Sequence, residues 1–412
     1  MEINEEIENA NKKAFDIMNK GKAILVDFDY ARKVIPDMRE DLILHAGPPI
    51  DYSEMIEPMR AAIQGAIVFE GKADTLERAD KMARNGEFEF KPCHEMNTVG
   101  PMAGITTPNM YVAVVENTEF GNKTYCNLHE GRGKILRFGA NSKEVLERLN
   151  WMNEKLGPAL KEVVKKKPVD LKSIAAEAVQ MGDELHQRTR ASSLLFLSAI
   201  SEKLLELPNA REIFKFIAER EQFFLNLGMP AMKALADPAD GIKYSTIVTR
   251  MTRNGVSFGI QVSGLKGKWF TGKAEIPVGL FFPGFSQKDA AGDFGDSAIM
   301  ETLGLGGLSS AAAPSVTRFV GGNVKDAIRA TELGYKITYG ESKDILLPTL
   351  DFRGVPLGID MLKVNETNIL PTINTGIAHR EPGIGQIGGG ISHPPLRAFN
   401  DALREYAKVY GI

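Results

Sequence analysis

Residues 91 to 108 read KPCHEMNTVGPMAGITTP, which places Cys93, His94 and Glu95 side by side ahead of a turn rich in glycine and proline. A thiol, an imidazole and a carboxylate are the raw materials of nucleophilic, acid–base or metal chemistry. Adjacency works against a chelate, because neighbours on a strand point to opposite faces and zinc sites space their ligands by two or more residues. Cys93 becomes a nucleophile only where something lowers its pKa; otherwise a lone buried thiol behaves as a small apolar side chain. The turn behind it carries a different signal. Gly100 and Gly104 around Pro101 imply a special backbone conformation, of the kind that lets main-chain N–H groups approach a small anion, although close packing also selects glycine.

Other polar clusters follow. His129 and Glu130 close a strand-like run, and GIGQIG at Gly383 to Gly388 matches the spacing of a dinucleotide fingerprint. That fingerprint needs a strand before it and a helix opening within it; here Pro382 precedes and more Gly, Ser and Pro follow, which argues against a nicotinamide cofactor. A milder reading keeps Gly385 and Gly388 as an anion-binding loop flanked by His379, Arg380 and His393. The acidic stretch GDFGDSAIMETLGLGG lacks the companion elements of a kinase; Asp293, Asp296 and Glu301 read as helix-capping groups, with a divalent cation the alternative. HQRTRA, His186 to Ala191, invites comparison with the S-x-R-T-R loop that holds carbamoyl phosphate in aspartate and ornithine carbamoyltransferases. His186 stands at the serine position, however, and the periodicity places the segment inside a helix, where its charges read as solvated pairs. The hydrolase elbow, the Walker A loop, the H-E-x-x-H pair and the C-x-x-C motif are all missing from the sequence.

These residues need elements to position them. A chain of 412 residues exceeds one ordinary core. Its pattern predicts an α/β and α+β multidomain protein: a mixed α/β domain over 1–155, a small all-helical domain over 156–237, and a glycine-rich α+β domain over 238–412. KAILVDF, DLILHA and GAIVFEG read as strands, and YSEMIEPMRAAI and TLERADKMARNG as helices. MYVAVVENTEFGNKTYCNLHEG reads as a hairpin bent at Gly121 and Asn122. Asp170 is an expected N-cap, VVKKKPVD a linker, VTRFVGGN a strand, and the stretch from TINTGIA to SHPP a long loop before a terminal helix.

With 50 basic and 53 acidic residues and a formal charge of -3, the chain lacks the positive field of a nucleic-acid binder. The acidic, amphipathic start and the shortness of the apolar runs point away from secretion and membrane spanning, and two cysteines suit a reducing cytoplasm.

Several stretches together carry a resemblance: HAGPPI, FKPCHEMNTVGPMAGI, YCNLHEGRGKILRFGA, VQMGDELHQR, FFLNLGM, VTRMTRNGVSFGI, GDSAIMETLGLGG, FVGG and TINTGIAHREPGIGQIGGGISHPP. In order and density they resemble the AllG family, from about residue 20 to the C-terminus. The resemblance implies a transferase, a subunit of an oxamate carbamoyltransferase that works with AllF-like and AllH-like subunits in allantoin and purine catabolism. Such an enzyme moves a carbamoyl group between oxalurate and phosphate, giving oxamate and carbamoyl phosphate. A noncatalytic scaffold or regulatory subunit of that complex is the rival reading, and an acyl- or CoA-linked transferase a third; a homodimer is also open.

Carbamoyl transfer requires held anions, donors for the developing oxyanion and a proton for the leaving nitrogen. The expectation is that the 93–104 and 376–393 loops meet, that Gly100, Gly104, Gly385, Gly388 and His393 line the site, and that Arg132 or Arg380 grips the anions. His94 and His379 are the expected acid–base groups, with Cys93, Glu95, His129 and Glu130 as further candidates and no cofactor beyond an optional divalent cation.

Overall fold

The computed structural model describes residues 2–131 and 133–412. It is a mixed α/β structure with several sheets. The first sheet runs in the order Thr98–Val99, β3 (Lys123–Asn127), β2 (Tyr111–Asn117), β1 (Ala23–Tyr30), Val169–Asp170. β2 and β3 form the predicted hairpin, with Gly121 at φ 77° in its bend. The expected linker instead continues a helix, Gly157–Lys166, and then supplies Val169–Asp170 as an edge strand against β1. Asp170 does cap the next helix, accepting the Ser173 amide at 3.0 Å.

GAIVF does not form a strand: it completes the Glu57–Phe69 helix, because a short apolar run fits a helix buried on most sides as well as a strand. VTRFV also turns out helical, over Thr317–Val320.

A second sheet has the order Phe270–Lys273, β5 (Ser257–Val262), β4 (Val248–Asn254), Phe294–Gly295. In a third, Val278–Phe281 pairs with β7 (Gln386–Ser392), which pairs with β6 (Ile373–Ala378). The expected C-terminal glycine loop is therefore mostly a hairpin. Its glycines serve contact: a Cβ on Gly389 would run into the Phe319 ring, and one on Gly388 into the Leu280 carbonyl. Arg253 on β4, fully buried, ties the second and third sheets together. It grips Asp293 through two N–H groups at 2.9 and 3.1 Å, and Asp293 also accepts the Thr375 hydroxyl at 2.9 Å.

Four helices matter below. α1 (Glu2–Lys20) is fastened far along the chain by Asn11. Its side-chain amide donates to Thr246 Oγ1 at 2.8 Å and Asp360 Oδ2 at 3.5 Å, and its carbonyl accepts the Thr246 amide at 2.8 Å. α2 is Arg190–Leu204 and α3 is Leu225–Ala236; α4 (Leu396–Tyr410) closes the chain as expected. Every residue of α3 is buried, as its apolar character on all sides demands. It lies against β2 and β3, with Asn117 donating to the Ala234 carbonyl at 2.8 Å and Thr124 to the Pro230 carbonyl at 2.6 Å.

Candidate active site

Two loops build the site. The first follows β3. Glu130 accepts the backbone N–H groups of Leu136 at 2.7 Å and Arg137 at 3.0 Å, which holds residues 136 and 137 against residue 130. His129 Nδ1 accepts the Gly131 N–H at 3.0 Å, so the neutral imidazole carries its proton on Nε2. The loop is clamped on both sides: Ala103 N–H donates to the Arg137 carbonyl at 3.1 Å and Gly383 N–H to the Phe138 carbonyl at 2.9 Å. The two glycine-rich loops of the sequence thus meet through the 135–139 segment, and Met102 also reaches Gly376 directly.

Arg137 is 8% exposed, and its Nε has no hydrogen-bond partner. Burial lowers its pKa and Glu130 beside it works the other way; a guanidinium remains charged regardless. Burial likewise raises the Glu130 pKa against the pull of Arg137.

The second loop corrects the helical reading of HQRTRA. The helix before it ends at Gln180, and Arg190 opens α2, so residues 181–189 are a loop that leads into a helix. Leu185 sits at φ 71°, a left-handed conformation that breaks the helical path. Buried carboxylates hold the loop. Glu184 Oε1 accepts the amides of His186 at 3.2 Å and Arg188 at 2.6 Å, and also that of Gln187; Asn374 donates to its other oxygen at 3.2 Å. Asp183 takes the Ser192 amide at 2.8 Å in the first turn of α2. These N–H groups are therefore engaged by the chain itself, and what the loop offers outward is guanidinium. His186 faces Glu301, Nδ1 to Oε1 2.7 Å, behind the loop.

Between the two loops lies a cleft of about 600 Å³. Among the described residues, four arginines line it, Arg137, Arg188, Arg190 and Arg220, together with His129 and a single carboxylate, Glu221. Phe282, Phe319 and Ile384 form an apolar wall. Arg137, Phe138, Gln187, Gln222 and Gln386 line both this cleft and a recess of about 10 Å³ behind it, near one water in size, where Met102, His186 and Ser297 also stand. Those five residues are the floor. Arg220 is braced by the Phe216 carbonyl at 2.7 Å and by the Phe216 ring at 3.7 Å.

Of the residues expected from sequence, the cleft gathers His129 directly, with Glu130 shaping its loop. Gly385 lies between two lining residues, Ile384 and Gln386. Pro101 and Met102 from the Gly100–Gly104 turn reach only the recess. The Gly100 amide does bind an anion, but the anion is the chain's own Asp296, at 2.9 Å; Asp296 also accepts the Gly47 amide at 2.9 Å and the Thr252 hydroxyl. Gly104 packs its backbone on Ala46. Burial raises the Asp296 pKa to about 6. Asp293, Asp296 and Glu301 join distant segments and do not cap a helix: the short helix Ile299–Thr302 has no side-chain cap.

Cys93 is buried, donates to the Gly104 carbonyl at 3.2 Å and has its pKa raised well above the ordinary value by burial and by Asp296. His94 is also buried, 3.9 Å from Asp296 and 3.4 Å from Lys233 Nζ; burial, then the charge of Lys233, pushes its pKa well down, so the ring is neutral. Glu95 accepts the Trp269 indole N–H at 3.0 Å. His379 accepts the Glu381 amide at 2.9 Å, and Arg380 is exposed. His393 meets Glu275, Nδ1 to Oε2 3.8 Å, and Gly388 lies within β7. None of these lines the cleft. Arg132 lies outside the described residues. No group of three or more His, Cys, Asp or Glu side chains suited to a metal ion occurs among the described residues.

The family model described as oxamate carbamoyltransferase subunit AllG matches residues 88–297, a span that takes in both loops. Oxamate carbamoyltransferase subunit AllG of Escherichia coli K12 is 44% identical over 98% of this chain and 99% of its own length. The chain belongs to the AllG family. Another relative, the uncharacterized protein YahG of the same organism, is 43% identical over 99% of this chain and 88% of its own. A crystal structure of a conserved protein of unknown function from Enterococcus faecalis V583 superposes with a TM-score of 0.97 at 46% identity, covering 98% and 99% of the two chains. In this AllG-family chain the loop over 181–189 leads into a helix, a geometry that its helical periodicity concealed. Arg137, Arg220 and Gln222 carry no local motif, and Gln187 and Gln386 stand inside HQRTRA and GIGQIG without being singled out there as site residues. No helix among the described residues is long and apolar enough to cross a membrane.

Proposed function

We propose that the chain is a subunit of an oxamate carbamoyltransferase-like enzyme, acting with AllF-like and AllH-like subunits in the cytoplasm, and that its arginine-lined cleft is where oxalurate and phosphate react. The observation that carries this reading is the charge of the cleft: among the described residues four arginines line it against one carboxylate. Both substrates are anions, and guanidinium binds phosphate and carboxylate through paired N–H groups.

In the proposed step a phosphate oxygen attacks the carbamoyl carbon of oxalurate and forms the C–O bond of carbamoyl phosphate. The C–N bond to the oxamate nitrogen breaks, and the proton lost by the phosphate hydroxyl passes to that nitrogen, so charge and atoms balance. The arginines align the anions and offset their repulsion. His129 lines the cleft with its proton on Nε2, a buried atom that a shift of its loop would have to present to the oxygen that gains charge as the tetrahedral centre forms. His94 and His379 stand outside the cleft lining, so the proposal gives the role to His129.

The test is carbamoyl phosphate formation from oxalurate and phosphate by the reconstituted complex. Expected is no turnover when this chain is omitted, and a loss of about a hundredfold or more for His129→Phe with assembly intact, the range of a lost oxyanion donor. Turnover of His129→Phe close to that of the parent would remove the chemistry from this cleft and favour a scaffolding role.

A further inference from the structure

The cleft is not uniformly cationic. Among the described residues its floor holds one guanidinium, Arg137, and three neutral amides, Gln187, Gln222 and Gln386, whereas the surrounding wall carries Arg188, Arg190 and Arg220. Arg188 and Arg190 are solvated, with side chains 43% and 62% exposed. Arg137 is not. These two environments suit different anions.

A phosphate dianion gains most from several cations around it, while a carboxylate joined to an amide needs one guanidinium for the carboxylate and neutral donors and acceptors for the amide. Two floor atoms are buried without a hydrogen-bond partner, Arg137 Nε, a donor, and Gln187 Oε1, an acceptor. Leaving such groups unmatched is unfavourable, and a ligand that offers an acceptor and an N–H together relieves both where the floor yields to it. The remaining glutamines are already oriented. Gln222 donates to the Gln187 carbonyl at 3.4 Å and Gln386 to the Gly388 carbonyl at 3.0 Å, which fixes both amide groups at the floor.

We infer that the cleft is divided, with the floor around Arg137 binding the amide-bearing carboxylate and the arginines of the wall binding the phosphoryl group. The inference rests on the carbamoyltransferase reading for the identity of the reaction, and on the buried donor and acceptor for the placement. It sets the direction in which the substrates lie: the oxalyl end of oxalurate is innermost, and phosphate enters from the open side.

The reverse reaction separates the two halves, because oxamate and carbamoyl phosphate can be varied independently. In the reconstituted complex, Arg137→Gln is expected to raise the KM for oxamate about tenfold or more while moving that for carbamoyl phosphate by less than about threefold; Arg190→Gln is expected to do the opposite. Gln222→Met, a gentler change, should follow Arg137→Gln with a smaller effect, and guards against loss of folding in the arginine variant. An Arg137→Gln defect confined to carbamoyl phosphate, or equal for both substrates, overturns the division. If the parent complex shows no carbamoyl transfer, the reading fails but the floor is still tested by calorimetry with oxamate and the full-length chain. Binding that Arg137→Gln abolishes supports the floor subsite, and absence of binding overturns it.

Discussion

Lys233 lies on α3, a helix buried on every side, and is itself fully buried. Its Nζ is 3.0 Å from Asp237 Oδ1 and 3.4 Å from both Nδ1 and the carbonyl of His94. Burial drags its pKa from the usual 10.5 to about 8, despite the pull of Asp237. That gap corresponds to roughly 3 kcal/mol of unfavourable free energy for carrying the charge in the folded chain. Between pH 8 and 10.5 the unfolded chain binds more protons at this lysine than the folded chain, so stability from this group rises with pH there, and at pH 7 the penalty is present in full. Lys233→Met keeps an unbranched chain of similar volume and removes the charge. Asp237 retains Arg250 at 3.3 Å, so it is not stranded. The variant is therefore expected to be more stable at pH 7 by about 1 to 3 kcal/mol, an advantage that shrinks as pH rises from 8 toward 10.5. Urea unfolding of both proteins across that range measures it. A variant less stable at pH 7, or one whose advantage is the same at both ends of the range, refutes the reasoning and makes the Lys233 interactions net stabilising.

Two further outcomes follow from packing and burial. Gly306 has φ 57°, and a Cβ there would overlap the Glu301 carboxylate and come within 3.0 Å of the His186 Cβ, so Gly306→Ala should lose about 3 kcal/mol in urea unfolding and weaken turnover by shifting the loop above; parental stability would show that the segment yields freely. Cys93 and Cys126 are both buried with pKa values raised by burial, so neither thiol should react with iodoacetamide in the folded chain at about pH 7.5, while both react in urea. Rapid labelling of Cys93 in the folded chain would restore it as a candidate nucleophile.

Much of the architecture could be read from local pattern. The apolar run in KAILVDF, the bend at Gly121 and the cap at Asp170 act over a few residues, and each appears where the sequence puts it. The failures share a cause. GAIVF is apolar enough for either state and was settled by the helix it continues; HQRTRA kept helical spacing while distant groups unwound it. Asn374 lies 190 residues from the Glu184 it binds, and Glu301 115 residues from His186. The site suffered in the same way. His129 was visible because it sits in a polar cluster, but Arg137 and the three glutamines become a floor only when four separate segments converge, and the motifs around Gln187 and Gln386 suggest other roles. The Gly100 turn was rightly seen as a place for an anion, and only the fold could show Asp296 filling it.

The fastening of α1 by Asn11 also bears on how the chain is made. Its partner Asp360 is 349 residues downstream, an interval of roughly 20 to 70 s at ordinary rates of synthesis. During that time the first helix can reach α3 and Thr246 but not Asp360 or the strands around it, so part of its apolar stripe stays uncovered. Completion of the fold is thus a late event, governed by the arrival of the C-terminal third, and chains released before Asp360 should be cleared by proteolysis rather than accumulate as a stable N-terminal fragment.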